Sequence, residues 1–230
     1  MSEPPLKHPR WKTYRIIPSH YPPIDLFERI FDPEDLELAF EIEAMTNDRL
    51  LDQAGDIQLV APEDRLTGPG SSPVMAAFTH RGFGSRFANQ NFGAYYAGNS
   101  LETAVAETVF HKERELAAAA ESSIELTMRV YIGKVALPLH DIRGPDFEAM
   151  HNPDPESYGA SQAFAAQCRA KGSNGFLYRS VRHPGGECIA AFKPTAVTLP
   201  SQGPHLKYFW DGDKQRITHW AEIGEAHQLS

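Results

Sequence analysis

The sequence predicts an α+β fold built on a mostly antiparallel sheet. Three observations carry this. The stretch 123–137 opens with strict alternation of apolar residues (Ile124, Leu126, Met128, Val130, Ile132), the signature of a strand with one buried face. The last third of the chain reads as consecutive strands with no regular helical spacing between them. The helical segments are few and bunched near the start and the middle, instead of alternating with strands as a parallel βαβ sheet requires.

Taken in chain order, Thr13-Tyr14-Arg15-Ile16-Ile17 reads as a first short strand that Pro18 ends. Residues 24–31 and 32–51 read as one or two helices. In the second, Asp32 suits the cap, Pro33 the first helical position, and Leu36, Ala39 and Phe40 an apolar face. The Gly-, Ser- and Pro-rich stretch 62–73 reads as a mobile surface loop with the reach to cover a site. Residues 92–98 read as a strand leading into a helix over about 100–118, with Asn99 and Glu102 supplying the capping pair at its start. A helix over 157–170 ends at Gly172. Strands follow at 176–180, 187–192, 206–210 and 216–220, and Asp211-Gly212 supplies turn chemistry before the last.

The 230 residues are 41% hydrophobic and 23% charged, the range of one globular domain able to bury roughly 70% of its unfolded surface. A single domain over 1–230 is expected. No run approaches the ~18 apolar residues of a membrane span, and the N-terminus has no apolar secretion core, so a cytoplasmic protein without membrane contact is expected. The net charge of −8 opposes a nucleic-acid partner, which normally calls for a basic patch. Cys168 and Cys188 form no CxxC pair and read as unreactive core fillers. The ten histidines make no HxH or HExxH spacing. No metal site is expected.

On a wheel of about 100° per residue, Leu101, Val105, Thr108 and Val109 share one face of the 100–118 helix. Ser100, Thr103, Glu107 and His111 fall opposite, so Glu107 points away from the helix's own apolar stripe. By itself that describes a solvated acid, and the segments around it change the reading. They are Tyr14-Arg15, Ser85-Arg86-Phe87, Tyr95-Tyr96-Ala97 and the run Ser100 to Glu107, then Tyr158-Gly159-Ala160-Ser161-Gln162, Gly175 to Arg182 and Pro184-Gly185-Gly186-Glu187. In that order, over about residues 13–192, they resemble the RES-domain toxins that bacteria pair with Xre-like antitoxins.

The resemblance implies a fold similar to the diphtheria-toxin type of ADP-ribosyltransferase and an activity that consumes NAD+ as a substrate. Matched residue by residue, the arginine motif falls on Arg86 with Arg15 beside it, the aromatic motif on Tyr96, and the glutamate motif on Glu107. The serine falls on Ser180, with Ser161 as the second choice. Two departures stand out: Arg179 occupies the place often held by proline before the family serine, and the stretch between Arg15 and Arg86 is long.

The chemistry of the residues agrees with that implication. Breaking the nicotinamide–ribose bond develops positive charge on the sugar, which a carboxylate such as Glu107 stabilises. Guanidinium forks such as Arg15 and Arg86 suit a pyrophosphate. Tyr96, and less directly Tyr14, can stack on a base. Gly82-Phe83-Gly84 comes nearest to a dinucleotide fingerprint, but Phe87 stands where the third glycine would be needed, which excludes a Rossmann dehydrogenase. The ADP-ribose acceptor stays open between water, phosphate and a target protein. The alternative is a catalytically silent binding module that keeps the fold and an antitoxin interface.

Overall fold

The computed structural model describes residues 3–19, 55–80 and 84–224, together with positions 27, 28, 32, 36 and 38. Apart from those five positions, the helices expected over 24–31 and 32–51 lie outside the described residues, as do Gly82 and Phe83. The strands are β1 (Leu6–Lys7), β2 (Lys12–Pro18), β3 (Tyr95–Gly98), β4 (Ile124–Lys134), β5 (Leu139–Asp141), β6 (Gly175–Arg179), β7 (Glu187–Ala191), β8 (Ser201–Asp211) and β9 (Arg216–Ile223). The helices with described bounds are α1 (Ser72–Thr79), α2 (Leu101–Ala118) and α3 (Gly159–Ala170).

The strands form one sheet in the order β1-β5-β6-β7-β3-β2-β4-β8-β9. Among the described pairings only β5 with β6 is parallel, so the expected α+β, mostly antiparallel architecture is the one found. Period-two alternation sorts the apolar side chains onto two faces. Tyr95, Ala97, Leu177 and Ile189 face one side, with Val74, Met75 and Phe78 of α1. On the other side α3 packs through Phe164 and Ala165 against Phe176, Tyr178 and Ala190. Beside it α2 packs through Ala104, Val105 and Leu116 against Ile16, Met128, Val130 and Tyr208. Two helices thus lie side by side on one face, each over its own half of the sheet.

The halves meet at β2 and β3, and they meet loosely. β2 pairs with β4 along its whole length, from Lys12↔Lys134 to Pro18↔Met128, but with β3 only at Tyr14↔Gly98. Gly98 is where the first turn of α2 crosses the sheet. A Cβ there would sit 2.9 Å from Ala104 N and 3.1 Å from Thr103 Cβ, so only glycine lets helix and strand approach this closely.

Some local expectations needed correction. The cap of α2 is Ser100, whose Oγ accepts from Thr103 N at 3.1 Å. Asn99 is committed to the sheet instead: its side-chain oxygen accepts from Glu187 N at 3.1 Å and Thr103 Oγ1 at 3.0 Å. Residues 62–73 are not a loop over a site. They contain a 3₁₀ turn at Pro62–Asp64, and Ser71, Ser72 and Pro73 are buried. β1 and β5 are too short to show a period in sequence.

Gly98→Ala is expected to overpack this crossing and cost about 1–3 kcal/mol, lowering Tm by roughly 2–10 °C for a chain of this size. Gly159→Ala, where nothing lies within 4 Å, should leave Tm unchanged or slightly raised. Thermal unfolding of the two variants checks this.

Candidate active site

The loose seam opens into a cavity of about 270 Å³ on the face that carries α2 and α3. β2 contributes Tyr14, Arg15 and Ile16 to its wall, and β3 contributes Tyr96, Ala97 and Gly98. α2 presents Ala104, Glu107, Thr108 and His111, and the segment Gly84-Ser85-Arg86 closes the side toward α3. The helix face that carries Glu107 therefore looks inward rather than to solvent. Thr103 on that face is fully buried.

Arg86 is 6% exposed, and its partners are neutral. Nη1 donates to the carbonyl oxygens of Met150 (3.2 Å) and Asn152 (2.6 Å), Nη2 donates to Tyr158 Oη at 3.2 Å, and the guanidinium lies 4.6 Å from the centre of the Tyr158 ring. Among the described residues no carboxylate comes within ion-pair distance of it. A buried cation satisfied only by dipoles is costly unless an anion completes it, and the cavity is where one would fit. The loop carrying Arg86 is fixed from two sides. Gln162 of α3 donates to Ser85 O at 2.9 Å, and Tyr96 Oη bonds Ser85 Oγ at 2.7 Å and accepts from Phe87 N at 3.0 Å. Burial pushes the Tyr96 phenol up to about 12, so it stays protonated.

Arg15 leaves β2 on the opposite face and reaches into the seam. Its guanidinium lies 4.7 Å from the centre of the Tyr95 ring, and Nη1 donates to Tyr96 O at 3.2 Å. Nε is buried without a hydrogen-bond partner, and burial lowers the side chain's pKa. No ion-pair partner is found for it among the described residues either.

Glu107 receives a 2.6 Å hydrogen bond at Oε1 from Ser180 Oγ. Ser180 follows β6, and its Oγ also accepts from the backbone N–H groups of Arg182 (3.1 Å) and His183 (3.0 Å). A tight turn thereby delivers the hydroxyl to the carboxylate. Ser161 is buried on α3 and is not part of the cavity wall. Its neighbours Tyr158 and Gln162 are what hold the Arg86 segment. Of the residues expected from sequence, Arg15, Arg86, Tyr14, Tyr96 and Glu107 share one cavity, Ser180 joins through Glu107, and Ser161 stands apart.

A family profile described as RES domain matches residues 62–211. The chain belongs to the RES domain family. Over 202 residues it is 26% identical to the uncharacterized protein y4oC of Sinorhizobium fredii (strain NBRC 101917 / NGR234), covering 87% of this chain and 84% of that protein. A solved structure with a looser likeness is the M. tuberculosis MbcT–MbcA toxin–antitoxin complex, with TM-score 0.46, 12% identity, and 91% of this chain and 89% of that chain covered. Within this RES domain the matched range holds Arg86, Tyr96, Glu107, Ser161 and Ser180. Tyr14 and Arg15 precede it.

Sequence reasoning missed Tyr158 and Tyr178 as wall residues of this RES domain, and it took Cys188 for a core filler. Cys188 lines the cavity with its sulfur 3.9 Å from Glu107 Oε1. His111, which shares the helix face of Glu107, is exposed yet stands in the cavity wall one turn beyond it. Desolvation, then the guanidiniums of Arg182, Arg114 and Arg86, lower its pKa to about 4. Among the described residues no cluster of His, Cys, Asp and Glu could hold a metal ion, and no helix is long and apolar enough to cross a membrane.

His151 adjoins the carbonyls that hold Arg86. Its Nε2 accepts from Arg179 N at 3.2 Å, so the proton sits on Nδ1, which bonds Phe147 O at 3.1 Å. Burial lowers its pKa, as it does for His140. A base lowered in the folded state binds more protons when unfolded, so stability is intact above the unfolded value of about 6.5 and is lost as pH falls below it. Urea midpoints should therefore drop between about pH 7 and pH 5, and His151→Gln should flatten that drop. A slope unchanged in the variant would mean that this imidazole is not the group being titrated.

Proposed function

We propose that this protein is a toxin that cleaves NAD+ at its nicotinamide–ribose bond and is held in check by an Xre-like antitoxin. The observation that carries the reading is the pairing of a carboxylate, oriented by Ser180 at one oxygen, with two guanidiniums that have no carboxylate partner among the described residues. Membership of the RES domain family supports it.

In the proposed reaction the C–N bond breaks, and nicotinamide leaves with the bonding pair as a neutral ring. The sugar left behind carries oxocarbenium character, which Glu107 stabilises electrostatically while bonding a ribose hydroxyl. An acceptor oxygen then bonds to the anomeric carbon and gives up its proton to solvent. The acceptor is water, phosphate or a side chain of a target protein. Arg86, with Arg15 behind it, binds the pyrophosphate, and the rings of Tyr14 and Tyr96 flank the base. A cavity of about 270 Å³ lies just below the usual range of ~300–1,000 Å³ for ligand pockets. It suits the nicotinamide end as far as the pyrophosphate, with the adenosine in the mouth. A silent binding module would have no use for a carboxylate oriented this way inside a cavity.

Incubation with labelled NAD+ and cell extract is expected to release nicotinamide. Label on a protein band then identifies transfer, and free ADP-ribose or its phosphate identifies small-molecule turnover. Glu107→Gln should lower kcat by about 10² or more with the fold intact. Near-normal turnover in that variant would sink the assignment. Arg86→Lys keeps the charge and loses the fork, so KM should rise by roughly ten- to a hundredfold. An unchanged KM would leave Arg86 with a purely structural role. Production without the antitoxin should deplete NAD+ in bacteria and arrest growth, and harmless accumulation of soluble protein would refute the toxin reading.

A further inference from the structure

The Glu107 carboxylate has a second neighbour that the reaction outlined above leaves idle. Cys188 lies on β7 between Gly98 of β3 and Tyr178 of β6, its partners in register. It is 2% exposed. Because Gly98 has no side chain, α2 comes down onto this part of the sheet, and Glu107 arrives with Oε1 at 3.9 Å from the Cys188 sulfur. Ser180 Oγ donates to the same oxygen at 2.6 Å.

We propose that Cys188 is a positioning residue for Glu107, its S–H donating to the oxygen already held by Ser180, so that Oε2 alone is presented to the sugar. This rests on the reading of Glu107 as the carboxylate that faces the ribose. Two donors on one oxygen fix the carboxylate's rotation about its last bond, which one hydrogen bond leaves partly free. The thiol suits the task because it stays neutral. Burial raises its pKa well above the ordinary thiol value, and the charge of Glu107 adds to the rise, so no thiolate competes with the carboxylate. An apolar residue of the same size would fill the space and leave the carboxylate less constrained.

Of the titratable and charged groups around Glu107, Tyr178 and Cys188 of the sheet sense its charge, and Tyr14, Arg15, Arg86, Tyr96, His111 and Tyr158 line the same cavity. The test compares Cys188→Val, which keeps bulk without a donor, with Cys188→Ser, which keeps a donor. The readouts are steady-state kinetics on NAD+, Tm, and the Glu107 carboxyl resonance followed by NMR of carbon-13-labelled glutamate.

In Cys188→Val, kcat should fall by about three- to tenfold, in keeping with a weak S–H donor to a charged acceptor. KM should hold, and the Glu107 carboxyl resonance should shift. Cys188→Ser should restore all of these. If Val and Ser are alike in kcat and leave the Glu107 resonance unmoved, the thiol only packs and the proposal is overturned. The NMR measurement needs no turnover. It therefore separates loss of this proposal from loss of the NAD+ reading, which Glu107→Gln tests independently.

Discussion

The seam between β2 and β3 is the constraint on which the rest of the structure depends. Among the described residues the sheet has nine strands, and these two neighbours pair at a single position, Tyr14↔Gly98. The unpaired edges would expose backbone polar groups to a cavity. Arg15 takes up part of that demand by donating across the gap to Tyr96 O. An arginine does this where a neutral residue would not, because its length spans the opening and its charge rests on the Tyr95 ring. The seam is thus at once the weakest part of the sheet and the part that collects side chains from both halves.

Electrostatically the cavity is asymmetric. Glu107, the one wall carboxylate among the described residues, is served by hydroxyl and thiol donors, whereas the guanidiniums of Arg15 and Arg86 are held by carbonyls and rings. The arginines and the carboxylate are kept apart instead of neutralising one another. Elsewhere the protein does make direct pairs: Arg143 bridges Asp141 and Glu187, and Arg179 meets Glu148. In the cavity, separation leaves both signs of charge available to a ligand that carries both.

Much of this could be read from the sequence where the signal was periodic or the motif dense. β4 was visible because Met128 and Val130 obey alternation, and α2 because eighteen residues exceed any strand. The serine was legible only through the segment around it, since nothing local distinguishes Ser180 from Ser161. Their difference lies in the turn after β6, where backbone amides converge on one hydroxyl. Cys188 and the Met150 and Asn152 carbonyls were invisible because their role comes from register and from a 3₁₀ segment, Pro145–His151, and neither has a composition. The cap of α2 was misplaced by one residue because Asn99 serves β7, a tertiary claim that outweighs its local preference.

The hydroxyl of Ser180 has a consequence for the kind of chemistry open to it. Its single proton goes to Glu107, and both lone pairs are occupied by the amides of Arg182 and His183. An oxygen saturated in this way has no electron pair to offer and no freedom to rotate one into place. It is therefore a fixed piece of the scaffold and not a nucleophile in waiting. The turn after β6 commits this hydroxyl to holding Glu107, and a group other than Ser180 would have to supply any attacking electron pair in this cavity.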